Sequence, residues 1–317
     1  MGRTALTQEA DRFEQTDDRK VCAVIVSFNP DIEHLRAMID ALTPQLARVV
    51  VVDNGSAPSA LGFLETLAQH AQVDVVPLGE NRGIASAHNE GIRYARRAGC
   101  HYVLLLDHDS KPAPDMVAQL VGAERHLTRE GVKVGAVGPV AIDSRTGARA
   151  SFVVMRGVRL RRIQCGGDEI TEVDFLISSG TLIVLSVFDE IGGMRDELFI
   201  DHVDTEWCFR ARTHGYRLFA VGAAGLLHSL GDEVQRVWIG RWRSIHVHSP
   251  LRDYYMIRNT LLVAKMSRLP LRWRMALMIR AVGSFAYFSL FMSPRARRVA
   301  AMATGVAHGL TNRSGKR

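Results

Sequence analysis

A chain of 317 residues with 47% apolar side chains is long enough for one large α/β domain, and it is too apolar for a disordered or disulfide-stapled protein. Its formal net charge of +7 hides an asymmetry: no acidic residue follows Asp253, twelve Lys and Arg do, and residues 1–253 carry 28 basic against 33 acidic groups, a net of about −5. The mildly acidic main portion argues against a nucleic-acid partner, and the basic end calls for its own explanation.

In chain order, residues 1–20 contain no apolar core of signal-peptide length and read as a solvated N-terminal tail, which leaves the protein in the cytoplasm. The four cysteines (Cys22, Cys100, Cys165, Cys208) form no CxxC pair, so neither a zinc knuckle nor a redox motif is written here. VCAVIVS (21–27) is an apolar, β-branched run of strand length, and Asn29-Pro30-Asp31 opens a helical pattern that runs to about Leu42. RVVVVD (48–53) is a second buried strand ending at NGS. VDVVP (73–77) is a third, followed by ENRG and a helix over 84–97, and YVLLL (102–106) is a fourth that runs into DHDS. Strands buried on both faces and separated by helices predict a mostly parallel, Rossmann-like sheet flanked by helices.

In such sheets ligands sit beyond the carboxyl ends of the strands. Ser27-Phe28-Asn29, Asp53-Asn54-Gly55-Ser56 and Asp107-His108-Asp109 all fall there, which predicts one site. Two carboxylates one residue apart after a buried strand suit Mg²⁺ or Mn²⁺ with a diphosphate, because hard cations take oxygen ligands. Asp53 reads equally well as a turn former. No GxGxxG follows the first strand and no GxxxxGK[ST] occurs, which disfavours a dinucleotide-dependent oxidoreductase and a P-loop phosphotransferase.

The ordered set AVIVSFNP, VVVVDNGS, ENRGIASAHNEGI, VLLLDHDS, FLISSGTLI, FIDHVDTEWCFRARTHGY and LLHSLGD resembles the family 2 glycosyltransferases of the GT-A fold, in their bacterial rhamnosyltransferase branch, over roughly residues 21–260. The resemblance implies a GT-A catalytic domain over 21–250 and a basic helical C-terminal extension over 251–317. It implies that Asp53 pairs with the nucleotide base, with Ser27 and Asn29 beside it, and that Asn81, Arg82 and Gly83 line the nucleotide. Asp107 becomes the ribose-side carboxylate, Asp109 the principal metal ligand and His228 a late ligand to metal or diphosphate. Asp204 matches the catalytic base, the second letter of a Glu-Asp pair whose first letter here is Val203, so any helper role passes to Asp201 or Glu206. LLHSLGD departs from the commoner His-x-x-Gly spacing, since Asp232 rather than a hydroxyl residue follows Gly231.

The implied reaction is a single displacement with inversion, from dTDP-β-L-rhamnose to a hydroxyl of a glycan or lipid-linked acceptor in lipopolysaccharide or another surface glycan. A UDP-sugar donor is the alternative within the class, and a sugar nucleotidyltransferase the alternative outside it. A helix beginning near Asp204 would make that residue its N-cap, where backbone N–H groups hold a carboxylate ionised. Glu206 and Trp207 are candidates for the acceptor side, with Trp207 and Phe209 on opposite sides of that helix. RASFVVMRGVRLRR (149–162) carries five arginines and reads as a mobile loop near the acceptor. Residues 270–294 are apolar, but Arg272, Arg274 and Arg280 leave an uncharged stretch of about fourteen residues, short of a span, so this segment is expected to lie on an anionic membrane at its inner face.

Overall fold

The computed structural model describes residues 20–143, 147–157, 159–228, 233–238, 242–266 and 269–317, with the backbone alone for 228 and 233–246. The tail expected over 1–20, apart from Lys20, lies outside the described residues, as do 229–232 of LLHSLGD.

The first half follows its hydrophobic pattern closely. Strands β1 (Val21–Ser27), β2 (Arg48–Asp53), β3 (Val73–Pro77) and β4 (Tyr102–Asp107) alternate with helices α1 (Ile32–Leu42), α2 (Pro58–Leu67) and α3 (Ile84–Arg97). Two of these helices start for a local reason. The Asp31 side chain caps α1 by accepting from the His34 N–H at 3.0 Å. Pro58 opens α2, where its missing N–H costs nothing. These four strands run parallel in the order β3-β2-β1-β4, so all their carboxyl ends reach one edge.

Beyond β4 the chain adds β5 (Ser110–Pro112), α4 (Met116–Arg129), β6 (Val134–Asp143), β7 (Phe152–Arg156), β8 (Arg159–Ile163), β9 (Ile170–Val173) and β10 (Leu182–Val184). There follow α5 (Leu185–Ile191), α6 (Val203–Thr213), β11 (Arg217–His228), β12 (Glu233–Trp238) and β13 (Trp242–Val247). Three helices close the chain: α7 (Pro250–Ala264), α8 (Leu271–Phe291) and α9 (Arg295–Leu310). The sheet continues β4-β10-β6-β11-β5, with β10 antiparallel to both neighbours and β9 antiparallel on β11. The architecture is therefore the expected mostly parallel sheet between helices, turned mixed in its second half.

Alternate side chains of the strands feed two cores. Val24, Val26 and Leu105 join α3, α6 and α8 on one face, with Trp207, Phe209 and Trp273. Ile25 and Leu104 join α1 and α4 on the other, with Leu35, Met38 and Leu120. The arginine-rich stretch is not the mobile loop its composition suggested. It forms the β7–β8 hairpin, and Arg149 donates to the Gly222 carbonyl at 2.8 Å.

Helix α3 sits directly on β1 at Gly91, where a Cβ would come within 2.1 Å of Val24 Cγ1, whereas a Cβ on Gly122 of α4 would meet open space. Gly91→Ala should therefore cost about 1–3 kcal/mol by overpacking. Gly122→Ala should be neutral or stabilising by up to about 1 kcal/mol through helix propensity. Urea denaturation of the two variants beside the parent chain measures both, and equal midpoints would contradict the packing assignment.

Candidate active site

The ends of β1, β2 and β3 are laced into one platform. Asn29, with φ 47, accepts from the Ala57 N–H at 2.8 Å and donates its own N–H to Ser56 Oγ at 2.8 Å. Asp53 is 1% exposed, and its two oxygens accept from the Ser56 N–H at 3.3 and 3.2 Å and from the Ser56 hydroxyl. The Asp53 carboxylate is thus engaged by its own turn, as the turn-forming reading expects. Asn54 Oδ1 accepts from the Arg82 N–H at 2.8 Å, and Asn81 Oδ1 from the Gly83 N–H at 3.0 Å. Ser27, Asn29, Asp53, Asn81, Arg82 and Gly83 are accordingly neighbours on one edge. The Ser27 hydroxyl is buried there with no hydrogen-bond partner, an unusual state for a buried polar group and one that a bound polar ligand would relieve.

Gly83 joins this platform to the opposite side of the site. It has φ 86, and a Cβ on it would lie 2.6 Å from the Phe199 carbonyl oxygen, which accepts from the Ile84 N–H at 2.8 Å. Only glycine allows both the left-handed turn and that approach.

At the end of β4, the Asp107 N–H donates to Ser179 Oγ at 3.3 Å, and the Ser179 and Ser110 hydroxyls are 2.7 Å apart. Ser179 is 1% exposed and belongs to FLISSG, a segment whose residues were absent from the expected site. Its contribution is a contact between distant strands that no local pattern encodes. Asp107 is half-buried and Asp109 exposed. Ser110 pairs with His228 across the β5–β11 ladder, which brings the His228 backbone next to Asp109, while its side chain lies outside the described residues.

Helix α6 begins one residue earlier than expected. Its N-cap residue is His202, with φ 61, so Asp204 is the second helical residue and not the cap. The carboxylate accepts from the Thr205 N–H at 2.7 Å. Burial nevertheless pushes Asp204 up to about 6, with the Asp107 charge adding to the rise and the Thr205 and Ser178 N–H groups opposing it. The expectation of a carboxylate held firmly ionised is therefore corrected: desolvation outweighs the helix N-terminus. Asp107 is near enough to Asp204 for its charge to contribute to that rise.

The acceptor-side assignments of Glu206 and Trp207 fail on burial. Glu206 is 1% exposed and is clamped by Arg210, at 2.9 Å from Nε to Oε1 and 3.0 Å from Nη2 to Oε2, and by Arg195 at 3.2 Å. Trp207 is 1% exposed, its ring lies against Phe188, and its Nε1 donates to the Gly192 carbonyl at 3.2 Å. Phe209 is buried as well, so neither aromatic faces a ligand. Asp201 pairs with Arg252 at 2.7 Å, which removes it and Glu206 as ready helpers of Asp204.

Among the described residues no three His, Cys, Asp or Glu side chains group into a cage for a metal ion. The donor set at the β4 end fits a different arrangement, in which one or two carboxylates share a hard divalent cation with substrate phosphate oxygens.

Comparison with known proteins agrees with this geometry. The model of the family described as Glycosyl transferase family 2 matches residues 22–190. The chain is 33% identical over 253 residues to the dTDP-rhamnosyl transferase RfbF of Shigella flexneri, covering 79% of this chain and 82% of the relative. It is 24% identical over 319 residues to the low-salt glycan biosynthesis hexosyltransferase Agl10 of Haloferax volcanii, covering 96% and 95%. Among solved structures, the mannosyltransferase PcManGT from Pyrobaculum calidifontis, in complex with GDP-Man and Mn²⁺, superposes with a TM-score of 0.54 at 16% identity over 96% of this chain and 81% of that one. With the family model spanning more than half of its length and the carboxylates of that fold's strand ends gathered at one edge, the chain belongs to glycosyl transferase family 2 and is a glycosyltransferase of the GT-A fold.

Proposed function

We propose that the protein transfers L-rhamnose, with inversion, from dTDP-β-L-rhamnose to a hydroxyl of a glycan or lipid-linked acceptor in the synthesis of a cell-surface polysaccharide such as lipopolysaccharide. The observation that carries this reading is 33% identity to a dTDP-rhamnosyl transferase, on a chain whose half-buried Asp204 lies near enough to Asp107 at the β4 end for its pKa to be raised by that charge.

The platform of Ser27, Asn29 and Asp53 takes the nucleotide base, and Asn81, Arg82 and Gly83 flank the nucleotide. Asp107 binds on the ribose side. Asp109 and His228, with the donor diphosphate, would hold Mg²⁺ or Mn²⁺, which when bound would supply Lewis acidity to offset charge on the departing nucleoside diphosphate. Asp204 takes the proton of the acceptor hydroxyl as its oxygen attacks the anomeric carbon from the face opposite the leaving group. A base near 6 is ionised at neutral pH yet more basic than an exposed carboxylate, which suits it to this work. Helix α8 supports attachment to a membrane surface. It is 21 residues long and apolar enough to cross a bilayer by length and composition, but Trp273 and Leu277 commit one of its faces to the protein core. A helix held on one side by protein lies along the interface, at the cytoplasmic face where the donor is available.

Kinetics, stability and donor binding test this reading. Because Asp204 works only when ionised, kcat/KM should fall tenfold per pH unit below about 6 and level off above it. Asp204→Asn should lower turnover by about 10² to 10⁴ while donor binding persists. The sign for stability is opposite to that for activity. A carboxyl raised from 3.8 to about 6 by folding destabilises the native state above that range, so the variant should be at least as stable as the parent at neutral pH, an advantage that fades as pH falls below 6. Near-normal turnover in Asp204→Asn would move the base elsewhere.

Asp109→Asn should abolish transfer with little rescue by added Mn²⁺, and full activity in excess EDTA would exclude the cation's role. In a thermal-shift panel with Mg²⁺ or Mn²⁺, dTDP-L-rhamnose should raise Tm well beyond UDP-glucose. A larger rise with a UDP-sugar would replace the donor and leave the fold assignment intact.

A further inference from the structure

Helix α8 buries Trp273 and Leu277 and turns its opposite side outward. At about 100° per residue, Leu271, Met275, Ile279, Val282, Ala286 and Leu290 fall within one stripe roughly a quarter of the circumference wide. All are exposed, five of them large, with Ile279 at 70%. So wide an exposed apolar stripe on a helix marks an interaction surface.

The β7–β8 hairpin is fixed to the same helix. Asp174 Oδ2 accepts both from the Met155 N–H of β7 at 2.6 Å and from Trp273 Nε1 of α8 at 3.0 Å, and Arg212 pairs with Oδ1 at 2.8 Å. At the hairpin tip, the Gly157 carbonyl accepts from Arg272 Nη1 at 2.7 Å. Arg156, Arg159, Arg161 and Arg162 of this hairpin are exposed, and Leu160 between them is 48% exposed. Arg156 and Arg159 stand directly opposite each other in the ladder, a like-charge pair that costs stability unless an anionic environment compensates it. No acidic residue lies between Asp143 and Asp168 or after Asp253, so the surface made by the hairpin and the last helices has no carboxylate of its own.

We propose that the β7–β8 hairpin and α8 form one composite surface for an anionic phospholipid bilayer, in which the α8 stripe enters the interface and the hairpin arginines bind headgroup phosphates. This rests on the membrane reading of α8 and adds to it a second, electrostatic contact that fixes orientation. Two contacts set side by side allow the protein to sit one way up.

The test is co-sedimentation of the full chain at low salt with neutral phosphatidylcholine vesicles and with vesicles that also contain phosphatidylglycerol. Donor hydrolysis in solution serves as the control for folding. Each surface cation contributes about fivefold to binding an anionic membrane. The triple variant Arg159→Gln, Arg161→Gln, Arg162→Gln should therefore bind anionic vesicles on the order of 10²-fold more weakly. It should bind neutral vesicles like the parent, with unchanged donor hydrolysis. The pair Ile279→Gln and Val282→Gln should lose both vesicle types. If the triple variant keeps full affinity for anionic vesicles, the hairpin is not part of the surface and the reading of α8 stands alone. If the parent chain sediments with neither vesicle, the membrane reading itself falls. If the triple variant instead loses transfer to a soluble acceptor, its arginines belong to acceptor phosphate recognition and the composite surface is wrong.

Discussion

The segment from Glu197 to His202 is the strained element around which the site is assembled. Phe199, Asp201 and His202 all have positive φ, near 60°, a conformation that side chains with a Cβ adopt only when the surroundings impose it. Helix α7 imposes it. The Asn259 amide donates to the carbonyls of Leu198, Ile200 and Asp201 at 2.8, 2.6 and 3.0 Å. Arg258, fully buried, donates to the carbonyls of Glu197 at 3.3 Å and Leu198 at 3.0 Å while its guanidinium lies over the Tyr255 ring. Five donor contacts from two adjacent side chains thus hold carbonyls that a regular helix or strand would have satisfied itself. On one side this segment meets Gly83, and on the other it leads into α6, which carries Asp204.

That arrangement changes the meaning of the C-terminal helices. Sequence composition separates them from the catalytic portion as a basic extension, yet α7 buries Arg258 and Asn259 against the segment that leads into α6. The acidic cluster FIDHVDTEW divides its labour by environment as well. Asp201 is paired with Arg252, Glu206 is paired with Arg195 and Arg210, and Asp204 has N–H donors but, among the described residues, no ion-paired cation, so its charge is the costly one and its basicity rises.

Much of the first half was legible because its strands are continuous apolar runs ended by polar turns, a pattern that fixes both strand and edge. The positions of Ser27, Asn29, Asp53, Asn81, Arg82, Gly83, Asp107 and Asp109 at one edge follow from it. What the pattern does not carry is burial of polar residues by partners distant in sequence. Glu206 and Trp207 look like ligands in a one-dimensional reading because only Arg210, one helical turn on, hints at a partner for either. Arg195 and Gly192, which precede them in the chain, close around them only after folding. The one-residue shift of α6 has a similar origin: His202 enters the left-handed region under constraint from α7, and no capping residue in the local sequence announces it.

Asp174 ties these observations together in another way. Its carboxylate is shared by β7, α6 and α8, and along the chain it stands four residues before Ser178, whose N–H faces Asp204, and five before Ser179, which holds the Asp107 N–H. One buried carboxylate thus joins an exposed helix, through Trp273, to the short stretch whose Ser179 accepts from the Asp107 N–H and whose Ser178 N–H donates to Asp204.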